Sequence, residues 1–363
     1  MQYTVDRRQP LDEIVKAIVA CGTDVHFHIV GEMGSGKSSM ETSLIPELVE
    51  LTGEEWHFIY EDCGNKSDAG DMLIPFPNRD EGYFERLLSK RLAAYPEDAN
   101  LVVMLDEFTK ANRVVLQVLH TLLEKRKRLG DRDFKQGKVI TFSTGNLSEE
   151  GVGDVLQAHT RNRICEVEAL KPTSEQWLAW AAENDIDPPV MAWVNKYPQA
   201  LASFRDPEFD DENAYVLNPK KVQGAVVTPR SLEKASFITK QRDKFSYKML
   251  QAALAGVIGE PAMLILSNFI KHQDQLPSRE AILKSPDTAP VPDSSVVQMT
   301  LAFNLLAMVE RETMTPIMKY VRRLNKESQG PFCVTLARSK TKSQFAFTNA
   351  AFTQWAQENH DIL

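Results

Sequence analysis

Apolar residues recur in two different rhythms along this chain. Up to Val167, short apolar runs bounded by turn residues alternate with segments of helical spacing. The runs are His26 to Val30, Trp56 to Tyr60, Leu101 to Leu105, Val139 to Phe142 and Ile164 to Val167. Helical spacing is clearest in Leu11, Ile14, Val15, Ile18 and Val19, and again in Val115, Leu116, Val118, Leu119, Leu122 and Leu123. Runs and helices in alternation predict an α/β fold, a mainly parallel sheet covered on both faces.

After Leu170 the rhythm becomes wholly helical. Pro172-Thr173 opens a helix with Trp177, Leu178 and Trp180, and Pro188-Pro189 opens another through Met191, Val194 and Tyr197. Further helices are predicted over 229–241, 246–258, 261–272, 296–311, 314–327 and 348–358. Between them, Leu276 to Ser295 carries Pro277, Pro286, Pro290 and Pro292 and reads as an extended linker. The division expected is an α/β core over 1–168, a helical lid over 169–275, and a linker with a C-terminal helical region over 276–363. There is no internal repeat and no low-complexity tract.

Composition narrows the class. The 363 residues hold 42 basic and 50 acidic side chains, a formal charge of −8, with 43% hydrophobic and 25% charged residues. Those fractions exclude wholesale disorder. No run approaches the ~20 apolar residues that span a bilayer, and Met1 to Pro10 is too polar for a signal peptide. Cys21, Cys63, Cys165 and Cys333 form no C-x-x-C pair, which argues against zinc and fits reduced thiols in the cytoplasm. An acidic total also disfavours coating nucleic acid by charge alone.

The chemistry concentrates in the first half. Gly31-Glu32-Met33-Gly34-Ser35-Gly36-Lys37-Ser38 matches the phosphate-binding loop G-x-x-x-x-G-K-[ST] in full, with an apolar run before it and a helix-forming stretch from Ser39 after it. Glycines there let backbone N–H groups wrap phosphate oxygens. Lys37 supplies a point charge, and the Ser38 hydroxyl is a ligand for Mg2+. The run Leu101 to Leu105 ends in Asp106-Glu107. In nucleotide hydrolases with this loop the first carboxylate holds Mg2+, and a second can act as general base on water. Taken alone, the pair is also what a buried strand meeting solvent would show.

Four further positions carry weaker signals. Asn146 closes the next strand in Thr144-Gly145-Asn146, where an amide can orient water beside a γ-phosphate or simply make a turn. Arg161 and Arg163 precede the last strand. Either suits an arginine finger offered to a neighbouring subunit, and either suits a surface ion pair. Thr228-Pro229-Arg230-Ser231 reads as a helix start with Thr228 as N-cap. Arg230 in that first turn opposes the helix dipole, a conflict that an anionic ligand would remove.

Lys125-Arg126-Lys127-Arg128, followed by Arg132, Lys135 and Lys138, is the one concentrated basic cluster. Cations there suit the end of the preceding helix. A hairpin touching nucleic acid is the sharper alternative, with Phe134 as its only aromatic. The Trp177/Trp180 pair fits core better than a binding platform, and His26-x-His28 falls within a strand as structural residues.

In this order the motifs resemble an AAA+ ATPase, and within that group the MoxR branch in a bacterial and phage subgroup. The matching text is Gly70-Asp71-Met72 with Pro75, Asp106-Glu107-Phe108 with Asn112-Arg113, Leu122-Leu123-Glu124, Ser143-Thr144-Gly145-Asn146 and Asn162-Arg163-Ile164. Trp177 to Ala181, Thr228 to Ser231 and Gly256 to Glu260 extend it, and it weakens after residue 330. The resemblance implies a five-stranded sheet in order 5-1-4-3-2 with a helical lid, and ATP as ligand of Gly31 to Ser39. It implies Mg2+ on Ser38 and Asp106, Glu107 as base, Asn146 as sensor 1 and Arg230 as sensor 2. Arg163 takes the finger position, with Arg161 as substitute because Asn162 replaces the family's aspartate. A hairpin inserted in the second helix falls at Asp68 to Leu92, and the hairpin before sensor 1 at 125–138. The resemblance further implies a homo-oligomeric, hexameric ring acting as a remodelling chaperone. Its partner would bear a von Willebrand factor A-like domain. A nucleic-acid motor using 125–138 is the rival reading; a non-hydrolysing nucleotide switch is a third, weakened by the intact Asp106-Glu107 pair.

Overall fold

The computed structural model describes residues 6–147, 156–271 and 276–360. Chain contacts divide it into two units, Met1–Lys171 and Pro172–Leu363.

The first unit is built on a six-stranded sheet. Its strands are β1 (Arg8–Gln9), β2 (His26–Gly31), β3 (His57–Asp62), β6 (Leu101–Asp106), β9 (Val139–Asn146) and β10 (Ile164–Ala169). All pair in parallel in the order β1-β10-β2-β9-β6-β3. Without β1 that order is the 5-1-4-3-2 expected for the core. The short edge strand Arg8–Gln9 was not foreseen, since two residues carry no period. Two antiparallel hairpins complete the unit: β4 (Leu73–Asn78) with β5 (Tyr83–Leu88), and β7 (Arg128–Leu129) with β8 (Arg132–Asp133).

The apolar strands read as continuous runs because both faces are covered. On β6, Val102 and Met104 face one core with Ile14, Val15 and Ile18 of helix Leu11–Cys21 and Leu44 and Leu48 of helix Glu41–Thr52. Leu101, Val103 and Leu105 face the other, with Phe108, Val115, Leu119 and Leu122. The same period of two sorts β2. Phe27 and Ile29 join the first core, while His26 and His28 point to the opposite face beside the Phe108 ring. There they meet the hydroxyls of β9: His26 Nδ1 lies 2.8 Å from Thr141 Oγ1, and Ser143 Oγ lies 2.9 Å from His26 Nε2 and 2.8 Å from His28 Nδ1.

The β4–β5 hairpin stands out from this packing. Ile74, Phe76, Tyr83, Phe84 and Leu87 are each about half exposed, and Pro75 and Pro77 lie within β4. The Asp131 carboxylate, in the turn of the second hairpin, accepts from the Arg86 backbone N–H at 2.6 Å and pairs with its guanidinium at 3.2 Å.

The second unit is entirely helical among the described residues, and one hydrophobic core runs through it from Trp177 to Trp355. Trp177 is buried in that core, whereas Trp180 is 41% exposed. The helix predicted over 261–272 is Glu260–Lys271, and residue 272 lies outside the described residues. The helix predicted over 314–327 ends at Val321, and another, Lys326–Arg338, begins after Asn325, whose side chain accepts from Ser328 N. Gly330 and Pro331 hid that helix from pattern reading. Leu276 to Ser295 is not an extended linker: it contains helix Arg279–Lys284, and Ile282 and Ala289 are buried. Prolines lack N–H but keep their carbonyls. Arg323, Tyr320 and Gln298 donate to the carbonyls of Pro286, Pro290 and Pro292 at 2.6, 2.5 and 2.7 Å.

Two expected outcomes follow from this packing. Trp355 is 1% exposed and its Nε1 donates to Gln329 Oε1 at 2.9 Å. Trp355→Ala therefore lowers the stability of the second unit by about 3–5 kcal/mol, read by urea unfolding followed by circular dichroism. Burial also lowers the pKa of both buried histidines, His26 well below its ordinary value and His28 to about 4. The unfolded chain then binds more protons than the folded one below about pH 6.5, so stability falls as pH drops from there towards 4. Each histidine adds a slope of up to ~1.4 kcal/mol per pH unit, and a His28→Asn variant shows a shallower acid limb.

Candidate nucleotide site

The parallel register decides what meets at the sheet's carboxyl edge. Gly31 at the end of β2 pairs with Asn146 at the end of β9, and Asp62 at the end of β3 pairs with Asp106 at the end of β6. That edge is where open α/β sheets bind ligands. The structure therefore brings the phosphate-loop motif, the two carboxylates and Asn146 to one edge of one sheet.

The loop turns where its glycines allow. Gly36 has φ +92°, a left-handed conformation that side chains resist, and it caps the turn Lys37–Ser39 before helix Glu41–Thr52. Lys37 is buried, and its Nζ donates to Gly31 O at 2.7 Å, Glu32 O at 2.9 Å and Ser35 Oγ at 3.2 Å. The ammonium is thus held inside the loop. Ser38 and Met33 are exposed, and Ser39 Oγ donates to Gly36 O at 2.9 Å. Glu32 is buried with its carboxylate 3.9 Å from Lys171 Nζ, whose side chain is equally buried.

Asp106 is clamped from both sides. Tyr60 donates its hydroxyl to Oδ2 at 2.7 Å, and Thr144 donates to Oδ1. Burial, and then the bond to Asp106, push the Tyr60 hydroxyl far above its ordinary pKa, so it remains a donor. Glu107 follows in a left-handed conformation with φ +52°, a strained position for a residue with a Cβ. Its Oε1 lies 2.6 Å from Lys110 Nζ. A Cβ on Gly64 would come within 2.6 Å of its Oε2 and 3.1 Å of its Cβ, so a larger residue there would displace the Glu107 carboxylate.

Tyr60, Thr144, Lys110 and Gly64 were missed in the sequence. Tyr60 and Thr144 are 46 and 38 residues from Asp106, and only strand pairing brings them to it. Lys110 carried a signal, since it stands three residues after Glu107 in a turn.

The arginines are placed differently. Arg163 Nε lies 2.6 Å from Glu124 Oε1, and its Nη1 donates to His159 O at 2.7 Å. Arg161 is exposed, with no ion pair among the described residues. Arg230 lies in the second unit, exposed in the first turn of helix Pro229–Lys240, where Thr228 and Ser231 cap each other at 3.0 and 2.8 Å.

The basic cluster is a hairpin, but most of its charge is spent within the chain. Lys125 pairs with Asp24 at 2.7 Å, Arg126 with Asp133 at 3.6 Å and Lys138 with Glu54 at 2.5 Å. Arg132 donates to the carbonyls of Leu92, Tyr95 and Pro96 and stacks over Phe134. Lys127 is buried, which lowers its pKa to about 8. Arg128 and Lys135 are exposed.

Comparison with known proteins adds a family similarity over part of the chain. The sequence profile described as AAA domain (dynein-related subfamily) matches residues 26–164. No curated protein sequence matches the chain. Among solved structures, the Holliday junction branch migration motor RuvB of Thermotoga maritima is 16% identical with a TM-score of 0.36, over 77% of this chain and 78% of that one. The closed state of Hsp104 with ATPγS and FITC casein is 18% identical with a TM-score of 0.34, over 68% of this chain and 42% of that one. The matched residues 26–164 hold the phosphate loop, both carboxylates and Asn146, so the similarity to an AAA domain of the dynein-related subfamily falls on the candidate site.

Proposed function

We propose that the chain is a MoxR-type AAA+ ATPase that hydrolyses ATP to ADP and phosphate. We propose further that it works in the cytoplasm as a homo-oligomeric, hexameric ring. There it remodels a protein partner bearing a von Willebrand factor A-like domain. One observation carries the enzymatic part: Asp106-Glu107 ends a strand separated from the phosphate-loop strand by β9 alone, at the same sheet edge. The residues fit the ligand. Each Asp106 oxygen accepts one bond and retains capacity for another, which suits a hydrated divalent cation.

In this reading the backbone of Gly31 to Ser39 cradles the phosphates, and Lys37 turns its ammonium from the carbonyls of Gly31 and Glu32 to meet them. Ser38 and Asp106 hold Mg2+, which when bound offsets phosphate charge. Glu107 takes a proton from the attacking water once its carboxylate leaves Lys110. Asn146 orients that water. Arg230 meets phosphate as sensor 2, and Arg163 serves a neighbouring subunit with Glu124 fixing its Nε. The boundary near 168 separates core from lid, while 276–363 shares the hydrophobic core of 169–275. The nucleic-acid motor ranks below this reading because Lys125, Arg126, Arg132 and Lys138 are already partnered within the chain. Among the described residues no helix is long and apolar enough to cross a membrane.

Steady-state ATP turnover tests the proposal. Glu107→Gln lowers kcat by at least ~10²-fold while ATP still binds, and Lys37→Ala weakens binding and turnover together. Equal rates in wild type and both variants would refute hydrolysis at this site. For the finger, Arg163→Ala lowers turnover by about 10³-fold with ATP affinity retained. Loss of binding, with turnover per bound ATP unchanged, removes Arg163 from that role. Light scattering of Glu107→Gln with ATP reads a ring mass, and a monomer there contradicts the ring.

A further inference from the structure

Among the described residues, two buried polar atoms beside the acidic turn have no hydrogen-bond partner, His28 Nε2 and Thr109 Oγ1. His28 is fully buried and Thr109 is 8% exposed. Both border the space left by Gly145, where a Cβ would lie 3.1 Å from Thr109 Oγ1 and 3.2 Å from His28 Cε1. Gly145 stands between Thr144, which holds Asp106, and Asn146.

The proton arrangement of the neighbouring network follows from its far end. The Leu122 carbonyl can only accept, so Thr141 gives it the hydroxyl proton, at 3.1 Å. Thr141 must then accept from His26 Nδ1. A neutral ring carries one N–H, so His26 Nε2 is bare and accepts from Ser143. Ser143, its proton spent, accepts from His28 Nδ1. Every link runs one way, and the last leaves a bare lone pair on His28 Nε2. Thr109, on the other side of the same space, holds a hydroxyl proton without an acceptor.

We propose that Thr109 donates this proton towards His28 Nε2 through one ordered water, and that this bridge positions the acidic turn Asp106 to Lys110 for hydrolysis. The second half rests on the ATPase reading above. His28 lies on the strand that delivers the phosphate loop, and Thr109 lies two residues after Glu107. The bridge ties the turn that carries the base to the strand that carries the loop. Strain at Glu107 persists only where its surroundings fix it, and this contact is one such fixture. Both are positioning residues, because neither touches substrate.

Long-range 1H–15N spectra of the imidazoles at neutral pH test the bridge without activity, with His28→Gln identifying the resonances. The result expected is an Nδ1–H tautomer at His28. Its Nε2 resonance moves in Thr109→Val and returns in Thr109→Ser. An Nε2–H tautomer, or an Nε2 resonance indifferent to Thr109→Val, overturns the proposal. Turnover tests the consequence: Thr109→Val lowers kcat about ten-fold with KM for ATP within about two-fold, and Thr109→Ser restores it. A Thr109→Val protein as fast as wild type overturns the positioning role. A wild type that does not hydrolyse ATP refutes the ATPase reading instead, and the spectra still decide the bridge.

Discussion

The parallel register of the sheet is the constraint on which the site depends. Residues 31, 62, 106 and 146 are scattered through the chain, yet pairing of β2 with β9 and of β3 with β6 sets their backbones at one edge. A slip of one residue in β6 would send Val102 and Met104 to the wrong core and turn Asp106 away from Tyr60. Burial on both faces penalises such a slip at every position of the strand. The cores therefore do more than stabilise: they set the address of each charged group.

Much of this was legible from the residues. Apolar runs located all five core strands to within a few positions, the phosphate-loop motif stood out by its spacing, and Asp106-Glu107 gained its meaning from following that loop. What stayed hidden belongs to two physical classes. Long-range partners such as Tyr60 and Thr144 carry no local signal, because their meaning arises only when strands pair. Local exceptions misled in the other direction: Pro277 to Pro292 suggested open chain, but the carbonyls of Pro286, Pro290 and Pro292 are hydrogen-bonded and Ile282 is anchored in the core. The helix Lys326–Arg338 was concealed by Gly330 and Pro331, residues that ordinarily stop one.

The basic hairpin shows how charge counted along a sequence differs from charge offered to a partner. Seven cations between Lys125 and Lys138 suggest a strongly positive surface. In the fold, Asp24, Asp133 and Glu54 neutralise three of them. Arg132 instead stitches backbone carbonyls of the segment Leu92 to Pro96. Arginine suits that work because its planar fork reaches several acceptors at once.

The β4–β5 ribbon carries Ile74, Phe76 and Leu87 into water. An apolar two-stranded ribbon invites edge-to-edge growth into an intermolecular sheet. Pro75 and Pro77 work against that outcome, since each deletes an amide donor from β4 and leaves its rim a poor template. On the β4 side, anything that covers this ribbon has to approach across its side chains and not along its backbone. The protein can thereby keep a sticky surface available without becoming a seed for its own aggregation.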